Sequence, residues 1–264
     1  MPRIVSATYN TESGYDFLDI FTGASTSGTR LKHLSGSGTI SDIYPNNGDE
    51  ALTIQFTSDV SNTRSGVLLK VVLTNSCPAT IQDVTGGIYY NTVRVKEQCW
   101  MKENLRTGNL TSGATISILT DNATGSTTVP YRRYPNGENS NASTYSYLYN
   151  WPAVANNSST VTDGMSGLCP SGWHIPTRQD VVTFCNNTTA SFRTSSSGFN
   201  AKMAGRATYT NTTGYYDFGS CAYFWMTYSN TVSSFYINSS GTMPSSFTSG
   251  EGKAHFKSVR CLKD

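Results

Sequence analysis

Three carboxylates, Glu12, Asp16 and Asp59, each stand at the end of a strand-like segment, a placement from which they could hold a cation. Brought together without one, they would repel and raise one another's pKa. The same spacing also suits ordinary surface carboxylates at loop rims, so the residues alone leave both readings open. A second concentration of chemistry is the run Cys169-Pro170-Ser171-Gly172-Trp173-His174-Ile175-Pro176. It sets a thiol and an imidazole in a turn stiffened by two prolines. A third is the polar-aromatic set Tyr215, Tyr216, Tyr223, Tyr228 and Tyr236 with Asn230 and Asn238. Tyrosine offers rigid contact area with a hydroxyl, and asparagine adapts its hydrogen bonds, so the mixture suits recognition of protein or glycan shapes.

The elements that must position these groups follow from pattern. Residues 15–21 read as a strand entering the Thr22-Gly23 turn, residues 52–56 alternate, and residues 67–73 read as a more buried strand. Residues 1–75 are thus a β-unit with few strands for an independent sandwich, whose open edge is expected near Ile4-Val5. Residues 76–81, with Cys77-Pro78, read as a linker, and residues 82–264 as a larger second unit. After the Cys169–Pro176 motif, Thr177 followed by Asp180 marks a helix start. Val181, Phe184 and Cys185 would share one face of that helix. Residues 223–226 and 235–237 read as buried strands, and residues 254–261 as a closing, alternating strand.

Composition narrows the function. The 264 residues are 37% apolar and 14% charged with a net charge of +2, and 16 Tyr, 11 Phe and 4 Trp can fill a core. That is a β-rich globular chain rather than a disordered one. No run of Lys and Arg offers a field for nucleic acid, and no apolar stretch is long enough for a membrane span. Cys77, Cys99, Cys169, Cys185, Cys221 and Cys261 make an even count that suits an oxidising, extracellular location. Six cysteines allow fifteen full pairings. Cys185, on the helix, is expected to stay free, leaving Cys77, Cys99, Cys169, Cys221 and Cys261 as disulfide candidates. Met1-Pro2-Arg3 runs straight into strand-like sequence with no signal peptide, so the chain reads as a mature fragment of an exported protein. Among His33, His174 and His255, His174 is expected to pack and hydrogen-bond within its motif. No Gly-x-Ser-x-Gly elbow, His-Glu-x-x-His helix or phosphate-cradling loop occurs, and no catalytic residue is assigned.

Two stretches resemble known families. Residues 12–20, 52–59 and 65–67, with Tyr15-Asp16 and Ser58-Asp59, are similar to the second half of a CUB domain, an extracellular β-sandwich. The resemblance implies calcium held by Glu12, Asp16 and Asp59. The family's first strands have no counterpart before Met1, and Val67 stands where an aromatic usually follows the Gly. Assembly with other chains through this incomplete unit is therefore expected. The second resemblance rests on Tyr90-Asn91-Thr92-Val93, residues 98–105, Tyr147-Leu148-Tyr149-Asn150-Trp151, the Cys169–Pro176 motif, Tyr223-Phe224-Trp225 and Ser258-Val259-Arg260-Cys261. In that order they resemble the Fibrobacter succinogenes major paralogous domain of bacterial secreted and surface proteins, over about residues 80–264. It implies a C-type-lectin-like fold, so that the whole chain is mainly β with α. The calcium-and-sugar motifs of C-type lectins do not occur in this second unit.

The expected function is a cell-surface or secreted adhesin-like module recognising a protein or glycan on a host or neighbouring cell. Its composition before the last strand is similar to that of retroelement-diversified variable proteins. One alternative is a structural or display module of a surface, pilus or phage-fibre assembly without a ligand. The weakest is an oxidoreductase like the formylglycine-generating enzymes, whose cysteine pair has no clear match in Cys221 and Cys261.

Overall fold

The computed structural model describes residues 1–46, 49, 51–83, 85, 87–120, 123–187, 198–208, 214–240 and 247–264. The chain divides into two compact units, Met1–Ala79 and Thr80–Asp264. Strands dominate both, and the α-helices belong to the second.

The first unit holds two three-stranded antiparallel sheets. One orders Ser37–Ile43, Pro2–Asn10 and Gly66–Leu73; the other orders Arg30–Leu34, Phe17–Thr22 and Leu52–Thr57. Ile4, Ala7, Ile20 and Ile43 form the core between them. Two expectations change here. The strand with Ile4 and Val5 lies in the middle of its sheet, so the open edge is not there. The run 67–73, apolar enough for a buried strand, is an edge of that sheet: among the described residues it pairs with Pro2–Asn10 alone, and Leu68 and Leu73 stay exposed. A continuous apolar run fits a strand packed on both faces, but here Leu69 packs on the Ile4 core while Leu68, Val71 and Leu73 lie exposed.

The second unit contains a five-stranded sheet ordered Trp173–His174, Leu262–Lys263, Gln98–Met101, Tyr89–Val95 and Thr80–Gln82. A second, three-stranded sheet orders Cys221–Tyr228, Thr231–Asn238 and Phe247–Ser249. The hairpin between its first two strands turns at Ser229-Asn230, both left-handed at φ 50° and 55°, the conformation that a two-residue turn between twisted strands requires. Alternation along the hairpin sends Ala222, Phe224, Met226, Phe235 and Ile237 into the core, where Trp100, Phe184 and Phe199 join them. The rings meet at offsets and edges, Trp100 to Phe184 at 5.0 Å and Phe184 to Phe199 at 4.8 Å.

The helix Arg178–Asn187 begins where Thr177 and Asp180 announce it. The Thr177 amide donates to Asp180 Oδ2 at 2.8 Å, and the Asp180 amide donates to Thr177 Oγ1 at 3.2 Å, a reciprocal cap. Val181, Phe184 and Cys185 are all buried on the helix's inner face. The motif ahead of it is a brace. Trp173 is buried, and Cys169 is bonded to Cys261. His174 reaches Asp264 Oδ1 with Nδ1 at 2.6 Å and Asp180 Oδ2 with Nε2 at 3.3 Å.

The closing segment is not an alternating strand. Phe256 to Cys261 are buried without alternation because neighbours cover them on every side. The amide of Phe256 bonds to Ala207, that of Lys257 to Tyr149 and that of Ser258 to Tyr223, while Val259 and Cys261 accept from Leu105 and Met101. Cys221 also departs from expectation as a disulfide candidate. Cys77, Cys99, Cys169 and Cys261 each sit in a disulfide, Cys169 with Cys261, whereas Cys185 and Cys221 are free thiols. The hairpin register sets Asn238, not a cysteine, opposite Cys221. Burial pushes the Cys185 thiol up to about 11, and burial together with Asp217 raises that of Cys221.

Two measurements test this frame. The Cys169–Cys261 bond spans a sequence separation of 92, so Cys169→Ser with Cys261→Ser should lower unfolding free energy in urea. Chain entropy sets the loss at about 4.5 kcal/mol; an unchanged midpoint would show that the brace holds without its bond. For His174, burial acts to lower the pKa, but the bonds to Asp180 and Asp264 outweigh it and hold it above the ordinary value. A raised imidazole stabilises the fold fully below its unfolded pKa, about 6.5, and loses that contribution as pH rises through the folded value. The stability advantage over a His174→Gln variant should therefore be largest in mild acid and shrink toward alkaline pH. An advantage independent of pH would mean that His174 only packs.

Candidate functional site

The hairpin face opposite the core carries the polar aromatics. Tyr223 and Tyr236 lie directly across from one another, their rings 5.5 Å apart. Beside them the short strand Arg206–Ala207 pairs Arg206 with Tyr216. The Arg206 guanidinium lies 4.7 Å from the Tyr223 ring centre and 5.7 Å from that of Tyr216, within the range of cation–π attraction. Asp217 closes the group: it accepts the Tyr223 hydroxyl at 2.8 Å and lies 3.6 Å from Arg206 Nε. Burial, and then the hydrogen bond to Asp217, raise the Tyr223 hydroxyl above its ordinary pKa, so it stays a neutral donor. Tyr216 is 47% exposed and Tyr236 half-buried, which leaves an aromatic surface with a cation stacked inside it. Such a surface offers flat apolar area, hydroxyls and a guanidinium edge together, without side-chain freedom left to freeze.

The structure divides the seven residues expected to bind. Tyr216, Tyr223, Tyr236 and Asn238 gather at one end of the hairpin, with Asn238 accepting from Ser240 Oγ at 2.5 Å. Tyr215 turns to a packing partner instead, its hydroxyl accepting from Arg133 at 3.3 Å. Tyr228 and Asn230 are at the far end of the hairpin. Tyr228 lies 4.9 Å beneath the Arg178 guanidinium. Asn230 is a clamp: its Oδ1 accepts from the Asp163 amide at 3.0 Å, and its own amide donates to Asp163 Oδ1 at 3.1 Å. Arg206, which organises the face, was not among the expected residues. Nothing in its neighbourhood of the sequence is periodic enough to show that it would be paired beside Tyr216.

In the first unit, Asp16 is buried at 5% exposure. Its Oδ2 accepts from the Glu12 amide at 3.1 Å, while Oδ1 finds no donor in the protein. Asp16 lines a cavity of about 260 Å³ with Asp59, Ser61 and Asn62 among its other walls. The turn 59–62 ties the other two carboxylates in: Asp59 Oδ1 accepts from the Ser61 amide at 2.8 Å, and Glu12 Oε1 from Asn62 Nδ2 at 2.6 Å. Glu12, Asp16 and Asp59 thus belong to one hydrogen-bonded neighbourhood, and the orphaned Asp16 oxygen fits a hard cation. Among the described residues, no three His, Cys, Asp or Glu side chains are grouped as the ligands of one ion. Among them too, no helix is long and apolar enough to cross a membrane.

Comparison with known proteins touches the second unit. Searches of curated proteins and of solved structures return no match. Residues 93–186 match the Fibrobacter succinogenes major domain, a stretch that includes Trp100, the Tyr147–Trp151 run, the Cys169–Pro176 brace and the capped helix behind it.

Proposed function

We propose that the chain is an extracellular or cell-surface binding module of the adhesin type, recognising a protein or glycan on a host or neighbouring cell. The observation that carries this reading is the stack Tyr216–Arg206–Tyr223–Tyr236, an outward-facing aromatic surface built on a rigid hairpin. The reading takes Thr80–Asp264 as a C-type-lectin-like domain of the Fibrobacter succinogenes major type and Met1–Ala79 as a partial CUB-like sandwich. The match over residues 93–186 supports the first, and the pair of three-stranded sheets the second. An exported location draws support from the Cys169–Cys261 bond. The Tyr, Asn and Ser content of 215–240 is the sole support for retroelement diversification.

Binding rather than catalysis is the proposed activity. Cys261 is held by Cys169 and Cys221 is a thiol raised by burial, so the two do not form the reactive pair an oxidoreductase would need. A display role in a surface, pilus or fibre assembly is the second reading, favoured by the exposed apolar edge at Leu68 and Leu73. For the first unit the proposal includes calcium, held by Asp16 and Asp59 with Glu12. Its charge would offset the repulsion of the three carboxylates and fix the 59–62 turn.

Tyr216→Ala combined with Tyr236→Ala should abolish binding to whatever a glycan array and a panel of purified surface proteins reveal, while the melting temperature barely moves. A large drop in stability would make these residues core and end the proposal; silence of the unaltered protein on both panels would favour the display role. Calcium should raise the melting temperature of the whole chain, and Asp16→Asn should remove that increment. Equal melting with calcium and with chelator would rule the cation out.

A further inference from the structure

The inner side of the hairpin sheet, away from the polar-aromatic face, ends in a cavity. Residues directly opposed in an antiparallel sheet share a face, and alternate residues along a strand return to it. The register therefore lays cross-strand rows on the core side: Phe224, Phe235 and Phe247 form one, and Met226, Ser233 and Ser249 form the next. Rings fill the first row. The second is left open, because two of its three members are serines. Ser233 is fully buried and its hydroxyl is sealed from solvent, so it contributes small size rather than a hydrogen bond. The space is a cavity of about 320 Å³, walled by that second row together with Tyr228, Phe247 and Arg178.

Arg178 is aimed into this space. It opens the helix Arg178–Asn187, and its guanidinium lies 4.9 Å from the Tyr228 ring centre and 5.3 Å from that of Phe247, two walls of the cavity. The helix gains nothing from a cation at this end, where its dipole favours negative charge. Among the described residues, no hydrogen bond or ion pair engages the guanidinium. Asp180, the carboxylate of the same turn, is committed to Thr177 and His174. Arg178, Tyr228 and Ser249 are all exposed, so a ligand entering from solvent can reach each of them. The described lining thus presents one guanidinium over two rings and a thioether, and no carboxylate.

We propose that this cavity binds a carboxylate carried on a compact apolar body. The planar fork of Arg178 matches a carboxylate through two parallel hydrogen bonds. Met226, Phe247 and the Tyr228 ring receive the apolar part, and the two serines leave it room. Apolar walls with one placed charge are the usual make-up of a ligand pocket, and a volume at the small end of the range fits a single ring or branched side chain. A free organic acid and the C-terminal residue of a peptide both present this chemistry. The site shares no residue with the Tyr216–Tyr236 face and does not rest on the function proposed for it.

Calorimetric titration of the full chain with hydrocinnamate, its primary amide and acetate tests the assignment. Hydrocinnamate should bind, and the amide at least about tenfold more weakly, since it forfeits the charge-assisted pair. Acetate, which keeps the charge and lacks the ring, should show no saturable binding. Arg178→Gln should bring hydrocinnamate down to the level of the amide, and Ser249→Trp, a plug at an exposed wall, should abolish binding of both. A tripeptide ending in phenylalanine that binds more tightly than hydrocinnamate would support the site with a peptide end as its ligand; the reverse order would support it with a small free acid. No binding of hydrocinnamate, equal affinity for the amide, saturable binding of acetate, or an affinity unchanged by Arg178→Gln would overturn it.

Discussion

Arg260 is the constraint on which the second unit depends. It carries a guanidinium into the core at 1% exposure, where an unpaired charge would be untenable. Burial pulls its pKa down to about 9, and it remains charged at neutral pH. Three segments far apart in sequence must come together to satisfy it. Nε donates to Asn104 Oδ1 at 2.8 Å, and the two terminal nitrogens donate to the Phe199 and Asn200 carbonyls. The rings of Phe199 and Phe224 lie over the same group, at 4.2 and 5.5 Å. Any slip of the closing segment would break all of these at once. The neighbouring Lys257 repeats the principle: fully buried, it is paired to Glu251 at 2.8 Å and set 4.5 Å from the Trp225 ring. Burial acts to raise the Glu251 pKa, but His255, Lys257 and Ser234 outweigh it and hold the carboxylate down at about 2.

That central segment also limits which surfaces of the second unit stay open. Residues 256–261 are spent on backbone bonds to Ala207, Tyr149, Tyr223, Leu105 and Met101, so they offer no free face. The hairpin Cys221–Tyr228 and Thr231–Asn238 packs one face into the aromatic core. Its other face turns half outward at the Tyr223–Tyr236 end, where Arg206 can stack. Its opposite end is clamped by Asn230 and Asp163. The Cys169–Pro176 run, with its thiol and imidazole, serves the frame through the Cys261 bond and the two carboxylates on His174.

Much of the fold was legible because local physics writes it into neighbouring residues. The cap needs Thr177 and Asp180 three positions apart, the helix face needs Val181, Phe184 and Cys185, and the hairpin needs apolar alternation through Phe224 and Phe235. Where pattern misled, the cause was a partner distant in sequence. The apolar run 67–73 reads as buried, yet Leu68, Val71 and Leu73 lie exposed. The run 254–261 alternates in sequence, yet it is covered from all sides. The candidate site was half legible: its tyrosines are visible as composition, but their division between two hairpin ends is a matter of register.

By itself the sequence determined the strand-rich class, the brace ahead of the helix, the acidic trio and the polar-aromatic supply, since each depends on residue type and short spacing. Tertiary structure alone decided that Cys261 takes Cys169 and leaves Cys221 reduced, and that Arg206 threads the tyrosines together. Those outcomes depend on which segments meet across the core. Burial of Arg260, with bonds that accept only one arrangement of 104, 199 and 200, selects among the meetings that local pattern leaves open.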